Sequence, residues 1–286
     1  MCGLFGKTRH AYYDNLWRSE RNTLKDDLVL HMIYKIRESL PRIGTRKLHY
    51  MINKNLAEHK LEAGRDYLFH LLSDYKLLIR NRRRNAKVTN SRHWMRKYSN
   101  LILGLEITRP DQLWVSDITY ISMPNGFAYL SLVTDAYSHK IVGYYLCRNL
   151  EVEGCLIALE MALHGRLLPY QSLIHHSDRG SQYCCKQYVD LLSSSKIAIS
   201  MTNNGDPYEN AIAERVNGII KGEFNLYSSQ LRLEELSKKI DKTIDVYNHL
   251  RPHDSCDLLT PQEAHQKTGP LKKRWKNYKK KYVINP

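Results

Sequence analysis

The chain has 286 residues, with 44 Lys and Arg against 29 Asp and Glu, giving a formal charge of +15 and a pI near 9.5. With 42% apolar and 26% charged residues, the composition excludes a disordered polyelectrolyte. No apolar run approaches the roughly 18 residues a membrane helix needs, so no membrane partner is expected. The N-terminus reaches charge within its first ten positions and carries no apolar signal core, so a cytoplasmic location is expected. Cys2, Cys147, Cys155, Cys184, Cys185 and Cys256 show no CxxC spacing. They read as reduced thiols, and zinc is set aside.

The charge is divided unevenly along the chain. Residues 1–105 hold 22 basic and 9 acidic side chains, residues 106–270 hold 15 and 20, and residues 271–286 hold 7 and none. A basic N-terminal part and a basic tail thus flank an acidic middle, and no acid occurs from Tyr75 to Leu105. That pattern points to a polyanion partner held by the flanks.

From Leu24 to about Leu78 apolar residues recur at helical spacing, as in Leu28, Met32, Ile36 and Leu40 and then Leu48, Met51 and Ile52. Pro41 and Gly44 separate two helices, and Arg46 and Lys47 fall near the start of the second. The order resembles a helix-turn-helix, with those two side chains as candidate DNA contacts. A third and fourth helix are expected from about Gly64 to Ile79, followed by Arg80, Arg82, Arg83 and Arg84, a further candidate DNA-contacting run. Residues 85–105 read as a basic linker.

At Gln112 the texture changes. LWVSDITYISM, FAYLSLVTDAYS and KIVGYYLC are joined by short turns and predict an antiparallel meander. A helix is expected from Glu151 to Leu167, a short strand in SLIHHSD, a helix from Gln182 to Ser195, and a strand in IAISM. Strands alternating with helices imply parallel pairing, so the sheet is mixed. Helices over Tyr208–Phe224 and Leu233–Leu250 follow. The division expected is residues 1–84 as a small all-α DNA-binding region, 85–105 as linker, 106–270 as an α/β catalytic core and 271–286 as a basic tail.

Three acids fit a structural role poorly. Asp117 shares a strand face with Leu113, Val115, Thr119 and Ile121. Asp178 closes a short strand before Arg179 and Gly180, where sites in α/β sheets form. Glu214 lies opposite the stripe of Ile212, Val216, Ile219 and Ile220, on a face with Asn210, Asn217 and Lys221; alone it reads as a solvated Glu. Asp135, His176, His249, Arg251 and His253 compete for roles, and each has a packing role as its plain alternative.

The order of strand acid, strand-end acid and helix Glu, with Lys221 two helical turns further on, resembles the catalytic core of DDE transposases and retroviral integrases. The strings WVSDITYI, DAYSHKIVGY, HHSDRGSQY, GDPYENAIAERVNGIIKGE and YNHLRPHDSCDLLTP resemble the second-frame transposase of the insertion-sequence family numbered three. So do IGTRKLHYMI and LFGKTRHAYYD nearer the N-terminus. Glu209 stands where the family usually has Asp, and Cys256 where Leu is usual. The resemblance implies a ribonuclease H-like mixed five-stranded sheet flanked by helices. It also implies cleavage and transfer of DNA strands at the ends of an insertion sequence. Asp117, Asp178 and Glu214 would be the catalytic and metal-binding residues, and Lys221 would face the DNA.

Like carboxylates about 4 Å apart repel by roughly 4 kcal/mol at an effective dielectric near 20. Such a trio calls for a cation, and oxygen donors suit Mg²⁺, with two ions expected and Mn²⁺ as a substitute. The resemblance further implies double-stranded element-end and target DNA as partners and a homo-oligomer assembled on it, and with DNA comes a nucleoid-associated location. An upstream-frame protein carrying a helix-turn-helix and a leucine zipper is a further implied partner. An inactive DNA-binding protein and a nuclease acting on RNA–DNA hybrids are the alternatives.

Overall fold

The computed structural model describes residues 9–59, 61–79, 94–203 and 210–274, the side chains of 9, 11–22 and 59 excepted. Arg80, Arg82, Arg83, Arg84, Glu209, Trp275, Tyr278 and Tyr282 lie outside the described residues. The chain divides into two compact units, 1–81 and 82–286. No helix among the described residues is long and apolar enough to cross a membrane.

In the first unit, helix α1 (Arg9–Ser39) turns through Leu40–Gly44 into α2 (Thr45–Leu56), and α3 (Arg65–Asp74) follows. The expected pair of helices between Gly64 and Ile79 is one helix, which ends at Tyr75 before the positive φ of Lys76. Val29, Ile33, Leu40, Ile43, Leu48, Ile52, Leu56, Leu68 and Leu72 fill the core between them. The connection from α2 to α3 is tied by polar contacts. Asn53 both accepts from the Ala63 N–H at 2.8 Å and donates to the Ala63 carbonyl at 2.9 Å. Arg46 is exposed on α2, whereas Lys47 on the same turn is buried.

The second unit is built on one five-stranded sheet in the order β3-β2-β1-β4-β5. Strands β1 (Leu113–Met123), β2 (Gly126–Asp135) and β3 (Ile141–Cys147) form the antiparallel meander, and β4 (Ile174–Ser177) and β5 (Ala198–Met201) add in parallel. The first turn depends on Gly126, whose φ of 111° disfavours any side chain. Helices α4 (Val152–His164), α5 (Ser181–Cys184), α6 (Lys186–Ser194), α7 (Ala211–Glu223), α8 (Leu233–His249) and α9 (Pro261–His265) complete the unit. This is the ribonuclease H-like order of a mixed sheet flanked by helices.

Three departures from the sequence reading have local causes. The helix expected over Gln182–Ser195 is two helices, because Cys185 takes an extended backbone (φ −70°, ψ 152°) and its thiol donates to the Gln182 carbonyl at 3.2 Å. Residues 95–105 are not a free linker: Met95, Tyr98, Ile102 and Leu105 pack on the core. The Leu101 N–H also donates to Ser200 Oγ at 2.9 Å. The short helix α9 was not expected, although Thr260-Pro261-Gln262-Glu263 is a capping box in which each end satisfies the other's backbone N–H.

The core between sheet and helices is filled by Trp114, Val133, Leu159, Ala162, Tyr188, Leu192 and Met201. Helix α4 lies so close to β3 that a Cβ on Gly143 would sit 2.0 Å from the Ala158 carbonyl oxygen and 3.0 Å from Ala162 Cβ. Backbone cannot yield there as a flexible side chain can. Gly143→Ala is therefore expected to destabilise the second unit by about 1–3 kcal/mol, read as a lower denaturant midpoint at unchanged slope. An unchanged midpoint would show that the close approach is not real.

Candidate active site

The site starts from strand register. Ser116 on β1 pairs in parallel with Ser177 on β4, so the next residue of each strand, Asp117 and Asp178, comes out abreast at the point where β4 ends. The Thr202 N–H, just past β5, donates to the Ser177 carbonyl at 3.1 Å and fixes that end. Asp178 Oδ1 accepts from the Gly180 N–H at 2.9 Å, which orients the carboxylate in its turn. A Cβ on Gly180 would stand 3.0 Å from that same oxygen, so the close turn suits glycine.

Helix α7 brings the third acid. Its apolar residues Ala213, Val216, Ile219 and Ile220 are buried, while its polar stripe lies along β1 instead of facing solvent. Asn210 donates to the Ser116 carbonyl at 3.1 Å, and Asn217 donates to Asp117 Oδ2 at 2.8 Å. Lys221 donates to the Tyr120 carbonyl at 2.8 Å and to Thr119 Oγ1 at 3.2 Å. Glu214 sits on this stripe between Asn210 and Asn217, one turn from each. The bland reading of Glu214 as a solvated helix residue fails because its whole face is laid against the strand.

Burial raises the Asp117 carboxyl, and the negative charge of Asp178 raises it further, to about 7; the Asn217 hydrogen bond opposes the rise and Glu214 adds to it. The three acids therefore share one field. Burial lowers the Lys221 ammonium, with Asp117 pulling it back up. That ammonium also stands 4.4 Å from the centroid of the Tyr120 ring, so it is held against β1 as a fixed positive charge beside the carboxylates.

The remaining candidates sort into packing roles. Asp135 is fully buried and accepts from the backbone of Asp111 and from the backbone and hydroxyl of Ser138. Trp114 is buried and donates its indole N–H to Asp111 at 3.0 Å. His176 meets Ser200 Oγ at 2.9 Å. Arg251 is buried and makes a two-pronged pair with Glu223 at 2.7 Å on each oxygen, so it ties α7 to the segment after α8. His249 is on the surface with Asp245. Asn210 and Asn217 were read only as polar neighbours of Glu214. Their role in stapling α7 to β1 was detectable as a repeat of amides flanking an acid at helical spacing.

A mixed sheet thus carries one acid within β1 and another just past β4, and α7 adds a third whose charge acts on the first. The family model described as "Integrase core domain" matches residues 107–207, and a second of the same description matches 195–261. The chain is 32% identical to an uncharacterized 31 kDa protein of insertion element IS600 from Shigella sonnei, over 93% of this chain and 98% of that one. It is 30% identical to the transposase for insertion sequence element IS904 of Lactococcus lactis, over 85% and 94%. Among solved structures, the simian T-cell lymphotropic virus intasome in complex with PP2A regulatory subunit B56 gamma superposes with a TM-score of 0.50 at 19% identity, covering 82% of this chain and 81% of that one, a likeness of fold. The chain belongs to the insertion-sequence transposases with an integrase-like core, a class of polynucleotidyl transferases.

The crowding of carboxylates has a measurable sign. Asp117 titrates near 7 in the folded chain against 3.8 for the free group, so folding takes up a proton in that interval and stability falls as pH rises from about 4 to about 7. Asp117→Asn removes the penalty. It is expected to stabilise the metal-free protein at pH 8 by on the order of 1–3 kcal/mol once solvent screening of this partly exposed group is allowed for, read as a higher melting temperature, and to flatten the profile between about pH 4 and 7. Parallel profiles for the two proteins would show that Asp117 carries no such penalty.

Proposed function

We propose that this chain cuts and joins DNA strands at the ends of an insertion sequence, with Asp117, Asp178 and Glu214 as the divalent-metal ligands of a single active site. The observation that carries the reading is the convergence of β1, the end of β4 and the polar stripe of α7, where burial first and then the charges of Asp178 and Glu214 push Asp117 up to about 7. A half-buried trio of hard oxygen donors with no His or Cys among them fits Mg²⁺, with Mn²⁺ as a substitute, and two ions suit three carboxylates. When bound, the metal supplies Lewis-acid activation and neutralises charge at the phosphodiester.

The chain's own groups do the positioning. Asn217 holds one oxygen of Asp117, and the Gly180 N–H holds Oδ1 of Asp178, which orients both carboxylates. Lys221, anchored on β1, presents a cation to a DNA phosphate next to the carboxylates. Binding energy for the duplex comes from elsewhere, since the core is acidic: the helices of residues 1–84, the basic stretch 85–105 and the tail 271–286 carry the excess of Lys and Arg. Exposed Arg46 on α2 is assigned to this role, as are Arg82, Arg83 and Arg84 by their place in the basic sequence run. Lys47, being buried, is assigned to the first unit's core. The active form is a homo-oligomer on paired element ends, in the nucleoid, with an upstream-frame product as a further partner.

Asp178→Asn is expected to reduce both cleavage and joining of labelled element-end DNA below about 1% of wild type while leaving its binding within about threefold. Retained cleavage in that variant would overturn the assignment. Arg46→Ala is expected to weaken duplex binding and lower the salt slope by about one unit, measured by titration at several salt concentrations; an unchanged slope would remove Arg46 from the interface.

A further inference from the structure

We propose that His139, His253 and Cys256 form a second metal site, distinct from the carboxylates, which takes Zn²⁺ through two imidazole nitrogens and one thiolate. One ligand atom from each of the three lies within 4.8 Å of the other two. Tetrahedral bonds of about 2.0–2.3 Å set donors about 3.4–3.6 Å apart, a closure that side-chain rotation can make. The two imidazole rings stack at 4.4 Å with 7° between their planes, so one ring must turn about its χ2 for both in-plane lone pairs to meet a shared ion.

The backbone is shaped to present these donors. His139 sits in the turn between β2 and β3 with a left-handed φ of 60°. Its N–H donates to the Asp135 carbonyl, and its own carbonyl accepts from the Tyr247 hydroxyl at 2.9 Å. Facing it is a tight loop after α8, in which the His253 N–H donates to the Leu259 carbonyl and the Cys256 N–H to the His253 carbonyl. Asp257 and Leu258 both have positive φ there, 55° and 63°. Two adjacent residues in a disfavoured region need local compensation, and the loop they make puts the His253 ring and the Cys256 thiol on one side.

The chemistry of the pocket suits a borderline-soft cation. His139 Nδ1 is buried without a hydrogen-bond partner, which costs free energy that a metal bond would recover. The Cys256 thiol is buried and points at the carbonyls of Ser138 and Tyr137, at 3.4 and 3.9 Å. On binding, this thiol passes its proton to solvent as the sulfur–metal bond forms, and two neutral imidazoles each give a lone pair. Water takes the fourth position. Burial holds His139 down at about 4, so it is in the ligating form at neutral pH. Arg251, Lys273 and Arg215 all act on His139, and of these Arg251 is paired with Glu223; the negative charge of buried Asp135 raises both His139 and Cys256 and favours positive charge between them. A dication here would clip the β2–β3 turn to the loop that carries Arg251, and through Arg251 and Glu223 to the end of α7.

The test uses full-length protein stripped with a chelator and titrated with Co²⁺ in saturating Mg²⁺, so that the carboxylates are occupied. The expected result is an intense thiolate-to-cobalt charge-transfer band with tetrahedral ligand-field absorption, saturating at one equivalent and displaced by Zn²⁺, together with a rise in melting temperature on adding Zn²⁺. Cys256→Ser should lose the charge-transfer band and bind at least tenfold more weakly, whereas Asp117→Asn should keep both. His139→Asn serves as the second variant, because Asn tolerates the left-handed backbone; with an unchanged circular dichroism spectrum it should also lose the tetrahedral site. A Co²⁺ spectrum without the thiolate band, or one that survives either ligand substitution, would overturn the proposal.

Discussion

The parallel register between β1 and β4 is the constraint on which the site depends. Because Ser116 stands beside Ser177, Asp117 and Asp178 emerge together with no freedom to separate, and the sheet converts a pairing rule into a chemical one. Two carboxylates left alone would turn away from each other into solvent. Here each is held, Asp117 by Asn217 and Asp178 by the Gly180 N–H, and burial makes the remaining repulsion larger than it would be in water.

Helix α7 is fixed at four points along its length, one of them Lys221 on the Tyr120 carbonyl, and this is what delivers Glu214. Asn210 grips the β1 backbone at one end, Asn217 grips Asp117 in the middle, and Glu223 pairs with buried Arg251 at the other. The last pair is costly to break, since removing either partner leaves an uncompensated buried charge, worth about 3–5 kcal/mol. A comparable role falls to Asp135 and Asp111, acids placed inside the unit to satisfy backbone N–H groups. Asp111 accepts from Leu167 and Leu168 as well as from Trp114.

Most of the core was legible because its signals are local. Strand alternation gave β1 to β3, apolar spacing gave α4, α7 and α8, and the unusual place of Asp117 on an otherwise apolar face singled it out. What failed was whatever depends on a partner far along the chain. Lys47 looked like a surface cation on a helix start, yet tertiary packing buries it. Residues 95–105 looked aperiodic because they follow a groove of the core instead of an element with a period of its own. The polar face of α7 was found correctly by its 100° step, but nothing within the helix says that β1 lies against it. The His139, His253 and Cys256 trio escaped a search for CxxC spacing for the same reason, since its members come from two separate turns.

The charge arithmetic can now be read against the structure. A core bearing a surplus of acids repels a phosphate backbone as well as its own carboxylates, so on the proposed reading the site is adverse to DNA until cations enter it. Burial and the charge of Asp178 make metal-free Asp117 reluctant to ionise, and on the proposed reading this favours divalent ions in the site, because metal binding would remove both penalties at once. Selectivity for metal first and phosphate second would then follow from electrostatics alone, with Lys221 as the fixed cation that keeps the path to the carboxylates from being wholly negative. On the same reading, affinity for the duplex is left to the basic flanks, with which the acidic core does not compete.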